Sequence, residues 1–365
     1  MNNNVSPYQL SLLITERCNL RCSYCYCDKR RSGTMTYDIA RKAIDEAMET
    51  HVDRPFRLLL MGGEPFIEFD LIKKILEYVR GRSQGRDVFV KTVTNGTLVH
   101  GEVQQWLADN RDLFHASLSL DGSREVHNRN RCNSYDSIDI DFFLHTYGNN
   151  AEASMVACPD NMDNLAMEVI SLQEMGFRVK CVLADDCQWN RRRDSERWSS
   201  QLSLLIDYYL SHQEQMPFNQ LMESLNVIVG GVTVEKCQPG RNTHCVDIGG
   251  VRYVCHRCTP YYNNGVWRAE VDLVANAGML REECLQCPAR SFCCSCPALV
   301  ASAKGNSGLD MALCGMFKMT HWANAVLLAR MFTECPEHIR LRGLDDNGKR
   351  NLIEGALQII NNLQV

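Results

Sequence analysis

The stretch that decides the fold is Cys18-Asn19-Leu20-Arg21-Cys22-Ser23-Tyr24-Cys25, which directly follows the apolar run at residues 10–15. Its three thiols have C-x3-C-x2-C spacing, so one short loop can bring all three to a single metal centre. A closed zinc site or a fully ligated iron–sulfur cluster takes four protein ligands, and three therefore leave one position open. Soft sulfur ligands beside an open position favour a 4Fe–4S cluster with one iron free for a substrate. A zinc knuckle or a set of buried thiols is the alternative.

The chain around this loop alternates between strand-like and helix-like patterns. Apolar runs predict strands near residues 9–15, 56–61, 87–93, 114–120, 152–158 and 177–184. Segments with a 3.6-residue apolar period predict helices near residues 36–50, 68–80, 102–109, 136–147, 162–175 and 195–212. Six such units predict an α/β fold with a parallel sheet and outer helices, because parallel strands need crossover connections. In the first helix Thr36 is the expected N-cap, and the expected buried stripe is Ile39, Ala43, Ala47 and Met48.

Polar motifs follow the predicted strands at their C-terminal ends, where parallel α/β folds build their sites. They are the cysteine loop, Met61-Gly62-Gly63-Glu64-Pro65, Thr94-Asn95-Gly96, Ser119-Leu120-Asp121-Gly122, Cys158-Pro159-Asp160 and Asp185-Asp186. The paired glycines are expected to adopt positive φ and to let the backbone approach a ligand closely. The carboxylate of Glu64 beside them can accept a hydrogen bond from an ammonium group. The Thr94 and Ser119 motifs taken alone also fit ordinary turns.

Together these motifs resemble the radical S-adenosylmethionine (SAM) superfamily. The resemblance rests on the cysteine triplet with Tyr24 before its third member, on Gly62–Pro65, and on the run from Ser119 through His127 to Arg131. It implies a partial (β/α)6 TIM-type barrel over residues 1–213. It also implies that the free iron chelates SAM, and that one-electron cleavage of SAM yields a 5′-deoxyadenosyl radical.

The resemblance also assigns residues to SAM. Gly62-Gly63-Glu64-Pro65 would bind the methionine amino group, Asn95 would lie near the carboxylate, and Ser119 near the ribose. Arg131 would bind the carboxylate or hold the structure, with surface ion pairing as the alternative. The implied SAM-binding set is Tyr24, Gly62, Gly63, Glu64, Pro65, Asn95, Ser119 and Arg131.

A second group of cysteines fills residues 236–330, after a linker predicted at residues 214–235. The chain has 19 cysteines, an odd number, and lacks a secretory signal, so metal binding in a reducing cytoplasm is favoured over disulfides. From the residues alone, two zinc ribbons fit almost as well as two iron–sulfur clusters. The remaining cysteines are expected to be mostly buried free thiols.

This second array resembles the SPASM domain, which carries two auxiliary 4Fe–4S clusters and would bring the total to three. By position, the first auxiliary cluster would take Cys237, Cys245, Cys255 and Cys296, and the second would take Cys284, Cys287, Cys293 and Cys314. Cys258 is an alternative to Cys245. The close spacing of Cys293 and Cys296 departs from the family pattern and makes Cys294 a further candidate. A C-terminal tail at residues 331–365 is predicted to end in an amphipathic helix from Asp346.

The composition excludes two classes of partner. The formal net charge is −5, which gives no broad nucleic-acid surface, and no apolar run approaches the roughly 20 residues of a membrane span.

The SPASM resemblance implies a maturase that modifies a peptide or protein. The leading hypothesis is an oxidative carbon–carbon, thioether or ether crosslink in a ribosomally made precursor peptide. One alternative is an anaerobic sulfatase-maturase-like enzyme that oxidises Cys or Ser to formylglycine. In that subfamily a catalytic Asp follows the cysteine that matches Cys255, whereas this chain has His256 there as a candidate base. The other alternative is a peptide epimerase that uses a spare thiol to return a hydrogen to the opposite face of the residue.

The expected partners are the substrate and a flavodoxin- or ferredoxin-type reductant. Because no leader-recognition domain is recognised before residue 9, we also expect either a separate leader-recognition protein or direct binding at the barrel mouth. A non-enzymatic electron carrier or zinc-ribbon binding module is disfavoured by the open-coordination triplet together with Gly62–Pro65.

Overall fold

In the computed structural model, the structure describes residues 6–83, 85–184, 187–222, 240–262, 286–289 and 307–363. The chain divides into two compact units. The first comprises Met1–Ser154 and Cys237–Ala275, and the second comprises Met155–Lys236 and Asn276–Val365. The predicted site residues Cys237, Cys284, Cys293 and Cys296, the candidate Cys294, and the Asp185-Asp186 motif lie outside the described residues. The domain boundaries predicted at residues 213, 235 and 330 stay predictions.

The first unit is a parallel sheet with a helix after most strands. Its elements are β1 Tyr8–Thr15, α1 Tyr37–Thr50, β2 Phe56–Gly62, α2 Phe69–Ser83, β3 Val88–Thr94, α3 Glu102–Asp109, β4 Phe114–Ser119, α4 Arg124–Asn130, α5 Ile140–Tyr147, β5 Glu152–Ala157, β7 Thr243–Val246 and β8 Arg252–Tyr253. The strand order is β5-β4-β3-β2-β1-β7-β8. All neighbours pair in parallel except β7 and β8, which form an antiparallel pair.

The second unit is mainly helical. It contains the end of β5, α6 Leu165–Glu174, β6 Arg178–Leu183, α7 Arg191–Ser211, α8 Ser307–Glu334 and α9 Asp346–Asn362, and β6 neighbours β5 in its sheet. α7 packs against α8, and the buried Trp198 donates from Nε1 to the Thr320 hydroxyl over 2.9 Å. Arg330 and Asp207 add an ion pair of 2.9 Å on the surface of the same helix pair.

The six predicted strand–helix units are confirmed, and so is the α/β class with its parallel sheet. The sequence missed α4, which lies inside the Ser119–Arg131 run, and it missed the short strands β7 and β8. Thr36 caps α1 as expected, with its hydroxyl accepting from the Ile39 N–H over 3.4 Å. Ala43, Ala47 and Met48 of the predicted stripe are buried, whereas Ile39 is only half-buried, and the prediction missed the buried Ala40 and Ile44.

The two faces of the sheet in the first unit differ in burial. Alternate residues on one face, such as Leu10, Leu58, Val90 and Phe114, are at most 1% exposed. Successive strand residues point to opposite faces, and on the opposite face Val93 is 39% exposed. One face is therefore packed while the other is partly open, with the polar loops at the C-terminal ends of its strands.

None of the helices in the described parts of the chain combines the length and the apolar character needed to cross a membrane.

The packed face predicts a clear difference between two valines of β3. Val90→Ala should lower the free energy of unfolding by about 2–3 kcal/mol, because it removes buried methyl groups and leaves a cavity. Val93→Ala, the same substitution in the same strand, should cost less than about 1 kcal/mol because that side chain is already partly in water. Urea unfolding of both variants checks this, and equal losses would contradict the assignment of the two faces.

Candidate functional site

The cysteine loop begins where β1 ends and is anchored at its base by polar contacts to Glu68. Glu68, in the short 3₁₀ turn before α2, accepts hydrogen bonds from the hydroxyls of Thr15 over 3.1 Å and Thr34 over 2.9 Å. The same carboxylate forms an ion pair of 2.5 Å with Arg17. One carboxylate therefore ties the start of the loop to the segment that leads into α1.

The three cysteines of the loop have unequal surroundings. Cys18, Cys22 and Cys25 are all half-buried. Burial raises the pKa of Cys18, and it raises the pKa of Cys22 to about 11. A hydrogen bond from the Cys27 side chain, followed by one from Lys29, instead holds the pKa of Cys25 below its usual range. With raised pKa values, Cys18 and Cys22 need the positive charge of a bound metal to become thiolates.

The donor set fits an iron–sulfur cluster better than a single metal ion. Within the described ranges, no three His, Cys, Asp or Glu side chains converge closely enough to hold one metal ion. A zinc ion requires every sulfur within about 2.3 Å of one centre. In a 4Fe–4S cluster each cysteine binds a different iron, so the sulfurs stay further apart. Three half-buried thiols on one short loop are the ligand set of a cluster with one iron left open.

Gly62 and Gly63 are required by the cysteine loop itself. A Cβ at Gly62 would lie 2.4 Å from the carbonyl oxygen of Thr15, and one at Gly63 would lie 2.3 Å from that of Arg17 and 2.7 Å from the Cβ of Cys18. Neither glycine has a positive φ. The expectation of positive φ was wrong. The backbone that approaches these glycines closely is the protein's own loop.

Glu64 joins the ends of β2 and β3 while almost fully buried. Its carboxylate accepts from the Asn95 N–H over 2.7 Å, the Thr94 hydroxyl over 2.8 Å and the Phe66 N–H over 3.1 Å. Burial raises the pKa of Glu64 to about 7, although these hydrogen bonds favour the charged form. Pro65 directly follows as the first residue of the 3₁₀ turn that Glu64 caps. Three donors leave about one acceptor position on the carboxylate for an outside ammonium group.

Asn95 connects the end of β3 to the cysteine loop. Its amide nitrogen donates to the Asn19 side chain over 2.8 Å, and its amide oxygen accepts from the Thr97 N–H over 3.0 Å and hydroxyl over 2.8 Å. The side chain of Asn19 in turn donates to the Thr97 hydroxyl over 2.7 Å. The two loops therefore form one hydrogen-bonded unit beside the first cysteine.

Asp121 is the site residue that sequence reasoning left unassigned. It is fully buried after β4, forms an ion pair of 3.2 Å with Arg131, and accepts from Asn130 over 3.2 Å and from the Tyr24 hydroxyl over 2.5 Å. The Arg131 guanidinium also lies 5.4 Å from the centroid of the Tyr24 ring. Arg131 is only 7% exposed, so the surface ion-pair alternative was wrong. The sequence did carry a signal for this site residue, because Asp121 lies beside Gly122 within the longest of the polar motifs.

Ser119 is the last residue of β4, where it is opposite Ser154 of β5 and is 9% exposed. It thus lies two positions before Asp121 at the same edge of the sheet. The four strand ends of β1 to β4 bring together the cysteine loop, Glu64, Asn95, Ser119 and Arg131, as the sequence predicted. Their individual roles toward SAM remain predictions.

The C-terminal cysteines are described only in part. In the first unit Cys245 on β7, Cys255 and Cys258 are all buried and lie within electrostatic reach of one another, so the choice between Cys245 and Cys258 stays open. His256 approaches the Cys255 sulfur at 3.7 Å, and burial lowers its pKa to about 3. Such a ring is neutral and only a weak base. In the second unit Cys287 and Cys314, the latter on α8, are half-buried.

The other cysteines mostly follow the expectation of buried thiols. Cys158, Cys181 and Cys335 are buried, whereas Cys27 and Cys187 are half-buried. Cys132 is exposed, with a φ of 58°, and its sulfur accepts from the Arg21 N–H of the cysteine loop over 3.2 Å. For Cys132 the expectation was wrong, because a turn after α4 presents it at the surface.

Residues 12–140 match the model of the Radical SAM superfamily. Residues 12–140, about a third of the chain, thus form a domain of this enzyme superfamily. Such a domain implies SAM and a 4Fe–4S cluster as cofactors, and the matched residues contain every element of the site from the cysteine loop to Arg131.

Among curated relatives, the chain is 32% identical to a cysteine-type anaerobic sulfatase-maturating enzyme of Clostridium perfringens over 135 residues, 33% of this chain and 35% of that protein. It is 29% identical to the antilisterial bacteriocin subtilosin biosynthesis protein AlbA of Bacillus subtilis over 124 residues, 33% of this chain and 26% of that protein. The chain thus spans about a third of the length of the curated relatives it matches.

Two solved structures share the fold more widely. Native anSMEcpe with bound AdoMet and Kp18Cys peptide has a TM-score of 0.67 at 18% identity, over 87% of this chain and 99% of that one. Streptococcus suis SuiB bound to the precursor peptide SuiA has a TM-score of 0.58 at 14% identity, over 79% of this chain and 71% of that one. At these identities the likeness concerns the fold, and it extends well beyond residues 12–140.

The contact between β2 and the cysteine loop predicts an effect on cluster assembly. Gly63→Ala should displace the loop at Arg17 and Cys18, and iron after anaerobic reconstitution should fall by on the order of four atoms per chain. Gly81→Ala is the matched control, because no atom lies within 4 Å of its added Cβ and the residue is within α2. Iron and sulfide analysis of both variants is the measurement. Full iron content in Gly63→Ala would contradict the role assigned to this glycine.

Proposed function

We propose that this chain is a radical SAM maturase that modifies a peptide or protein, with Cys18, Cys22 and Cys25 holding the SAM-binding 4Fe–4S cluster. The observation that carries the proposal is the convergence of four strand ends on one hydrogen-bonded site. When bound there, the reduced cluster with SAM would supply a 5′-deoxyadenosyl radical that removes a hydrogen atom from the substrate. The residues of the chain then have to bind SAM, orient it and keep the substrate in place.

The geometry of the site supports Glu64 as a contact to SAM and favours a positioning role for Arg131. Glu64 retains one acceptor position and is held rigidly by three donors, which suits it to the methionine amino group. Arg131 is fixed by Asp121 with its guanidinium over Tyr24, so it is better suited to position Tyr24 and the loop than to reach out for a carboxylate. Asn95 follows β3 and Ser119 ends β4, so both lie at strand ends between Glu64 after β2 and Arg131 after α4.

The open face of the sheet supports a large substrate. It carries Val93 together with the half-buried Lys91 and Glu152, whose side chains form an ion pair of 2.9 Å, and it leads up to Ser119. A polar, partly solvated surface beneath the proposed SAM site leaves room for an extended chain. The peptide-bound structures of anSMEcpe and SuiB share this fold, which supports a peptide as the substrate class.

We propose an oxidative crosslink in a precursor peptide as the reaction, with formylglycine formation on a protein as the second candidate. The subtilosin relative favours the first and the sulfatase-maturating relative favours the second, to a similar extent. The identity of residue 256 favours the first, since His256 stands where the second would use a carboxylate. Either reaction would take one electron to cleave SAM, which a flavodoxin- or ferredoxin-type reductant would supply, and would return one electron when the substrate radical is oxidised. A peptide epimerase remains as a third outcome of the test.

The reaction class can be decided by mass spectrometry on peptides encoded beside this chain's gene and co-expressed with it. A crosslink should make the peptide lighter by two hydrogens and leave no group that reacts with a hydrazide. Formylglycine would be captured by the hydrazide, and an epimerase would add one deuterium from labelled solvent without oxidation. A Cys18→Ala control should abolish every change. Failure to cleave SAM in the reduced wild-type protein would overturn the enzyme proposal altogether.

We also propose that the C-terminal cysteines hold two auxiliary 4Fe–4S clusters. Cys245, Cys255 and Cys258, buried together in a reducing cytoplasm, support this for the first cluster.

A count of bound metal tests the auxiliary clusters. Anaerobically reconstituted wild-type protein should bind about twelve irons per chain, falling to about eight in a Cys18/Cys22/Cys25→Ala variant. Cys181→Ala, a buried thiol outside the proposed sites, should leave the count unchanged. About four irons with bound zinc would instead make the C-terminal array a structural zinc site.

A further inference from the structure

Positive charge surrounds the cysteine loop, although the chain as a whole is acidic. Residues 16–33 contain five cationic side chains and two carboxylates, a net charge of +3, whereas the whole chain has a formal net charge of −5. Four of the cations are exposed and the last is half-buried, in the order Arg17, Arg21, Lys29, Arg30 and Arg31. The segment that carries the three proposed cluster ligands is therefore a cationic part of an acidic chain.

The chain folds the two ends of this cationic segment together. The Glu16 N–H donates to the carbonyl oxygen of Gly33 over 2.8 Å, so the segment returns to the point where it began. Arg31 forms an ion pair of 2.5 Å with the carboxylate of Glu16, which directly precedes Arg17 in the chain. The cationic run at residues 29–31 therefore returns to the start of the cysteine loop.

The ion pairs of this segment expose their cations and bury their carboxylates. The arginine side chains are 38–80% exposed and the carboxylate side chains only 4–13% in the pairs Arg17–Glu68, Arg30–Asp28 and Arg31–Glu16. In two other surface pairs, Arg57–Asp87 and Arg124–Asp136, the carboxylates are instead 61–62% exposed. The surface around the cysteine loop thus presents positive charge to the solvent while its negative charge lies inside.

We propose that this cationic surface docks a small acidic one-electron carrier protein, which reduces the SAM-binding cluster. The cluster has to gain one electron before SAM can be cleaved, and the carrier that loses this electron has to come close to it. Exposed positive charge attracts an acidic partner and steers its approach. Redox partners form weak complexes through small interfaces, so exposed charges on a loop are sufficient. The inference rests on the proposed cluster at Cys18, Cys22 and Cys25, and adds the partner surface of that site.

The observations favour a carrier over an acidic segment of the substrate as the occupant of this surface. Arg17 and Arg21 each directly precede a proposed cluster ligand, and the run at residues 29–31 begins four residues after Cys25. The surface proposed for the substrate is instead the open face of the sheet, where the cation Lys91 is already paired with Glu152. The cationic surface is therefore placed for electron transfer to the cluster.

Arg21→Glu/Arg30→Glu reverses two exposed charges and spares Arg17, whose carbonyl oxygen and ion pair hold the loop. At low salt the association with an acidic carrier should slow about tenfold or more, because the variant loses electrostatic steering. The difference should shrink as salt screens the charges. The matched control is Arg80→Glu/Arg111→Glu, which reverses two exposed arginines on the connections that lead into β3 and β4, at the end of the sheet opposite to the site.

The probe is an acidic bacterial flavodoxin. Its affinity for the anaerobically reconstituted full-length protein is measured by calorimetry at low and at high salt. SAM cleavage is then followed with reduced flavodoxin as the limiting reductant, and separately with excess dithionite, a small reductant that needs no docking surface. Weaker flavodoxin binding and slower flavodoxin-supported cleavage in Arg21→Glu/Arg30→Glu, with unchanged dithionite-supported cleavage and a control that behaves like the wild type, support the docking surface.

Three results would overturn it. They are unchanged flavodoxin binding in Arg21→Glu/Arg30→Glu, an equal loss in the control, and a loss of precursor-peptide binding while flavodoxin binding stays intact. If the double variant takes up no iron, Arg30→Glu alone decides, because this side chain is 80% exposed and lies outside the cysteine triplet. Absence of SAM cleavage in the dithionite-reduced wild type would overturn the proposed enzyme, whereas flavodoxin binding would still decide the docking surface.

Discussion

The site depends on the close approach of the end of β2 to the cysteine loop. The carbonyl oxygen of Arg17 occupies the space where any side chain at Gly63 would begin, 2.3 Å from an added Cβ, and Gly62 stands in the same relation to Thr15. Backbone hydrogen bonds from Gly63 to Thr15 and from Glu64 to Arg17 hold the contact at 3.1 and 2.8 Å. The loop that carries the three thiols is thus placed by the sheet before any cofactor binds. Such pre-organisation lowers the entropy that has to be lost when a cluster is assembled.

Buried polar groups then extend this contact sideways along the strand ends. Glu64 ties β2 to β3, Asn95 ties β3 to the loop, and Asp121 ties the turn after β4 to Tyr24 and Arg131. A buried ion pair or carboxylate contributes little net stability, because desolvation offsets the attraction, but removing one partner is costly. The presence of these buried polar groups is therefore better explained by the geometry that they impose on the site than by a contribution to the free energy of unfolding. Burial raises the pKa of Glu64 to about 7, which reflects the free energy lost when its carboxylate is removed from water.

The sequence predicted the elements well because their signals are local. The helix at Tyr37–Thr50 shows its apolar period and its Thr36 cap within fifteen residues of chain. β7 gave no such signal, since it is four residues long and pairs with β1 across more than two hundred residues of sequence. The glycines were identified as important but for the wrong reason, because what faces a glycine is decided by tertiary structure. Asp121 was missed for the same reason, since an Asp-Gly pair looks like a turn until Arg131 and Tyr24 are seen beside it.

The three cysteines have different surroundings because of where each lies in the loop. Cys18 and Cys22 are placed by β1, β2 and the turn after β4, and the superfamily model reaches all three of these parts of the chain. Cys25 is the last of the three, and the chain leaving it pairs with Tyr261 and Tyr262, which come from beyond residue 140. The surroundings of one cluster ligand are thus supplied by a segment that also carries Cys255 and Cys258. The backbone contacts that fix the chain after Cys25 therefore come from outside the matched domain, whereas the hydrogen bonds that fix Glu64, Asn95 and Arg131 lie within it.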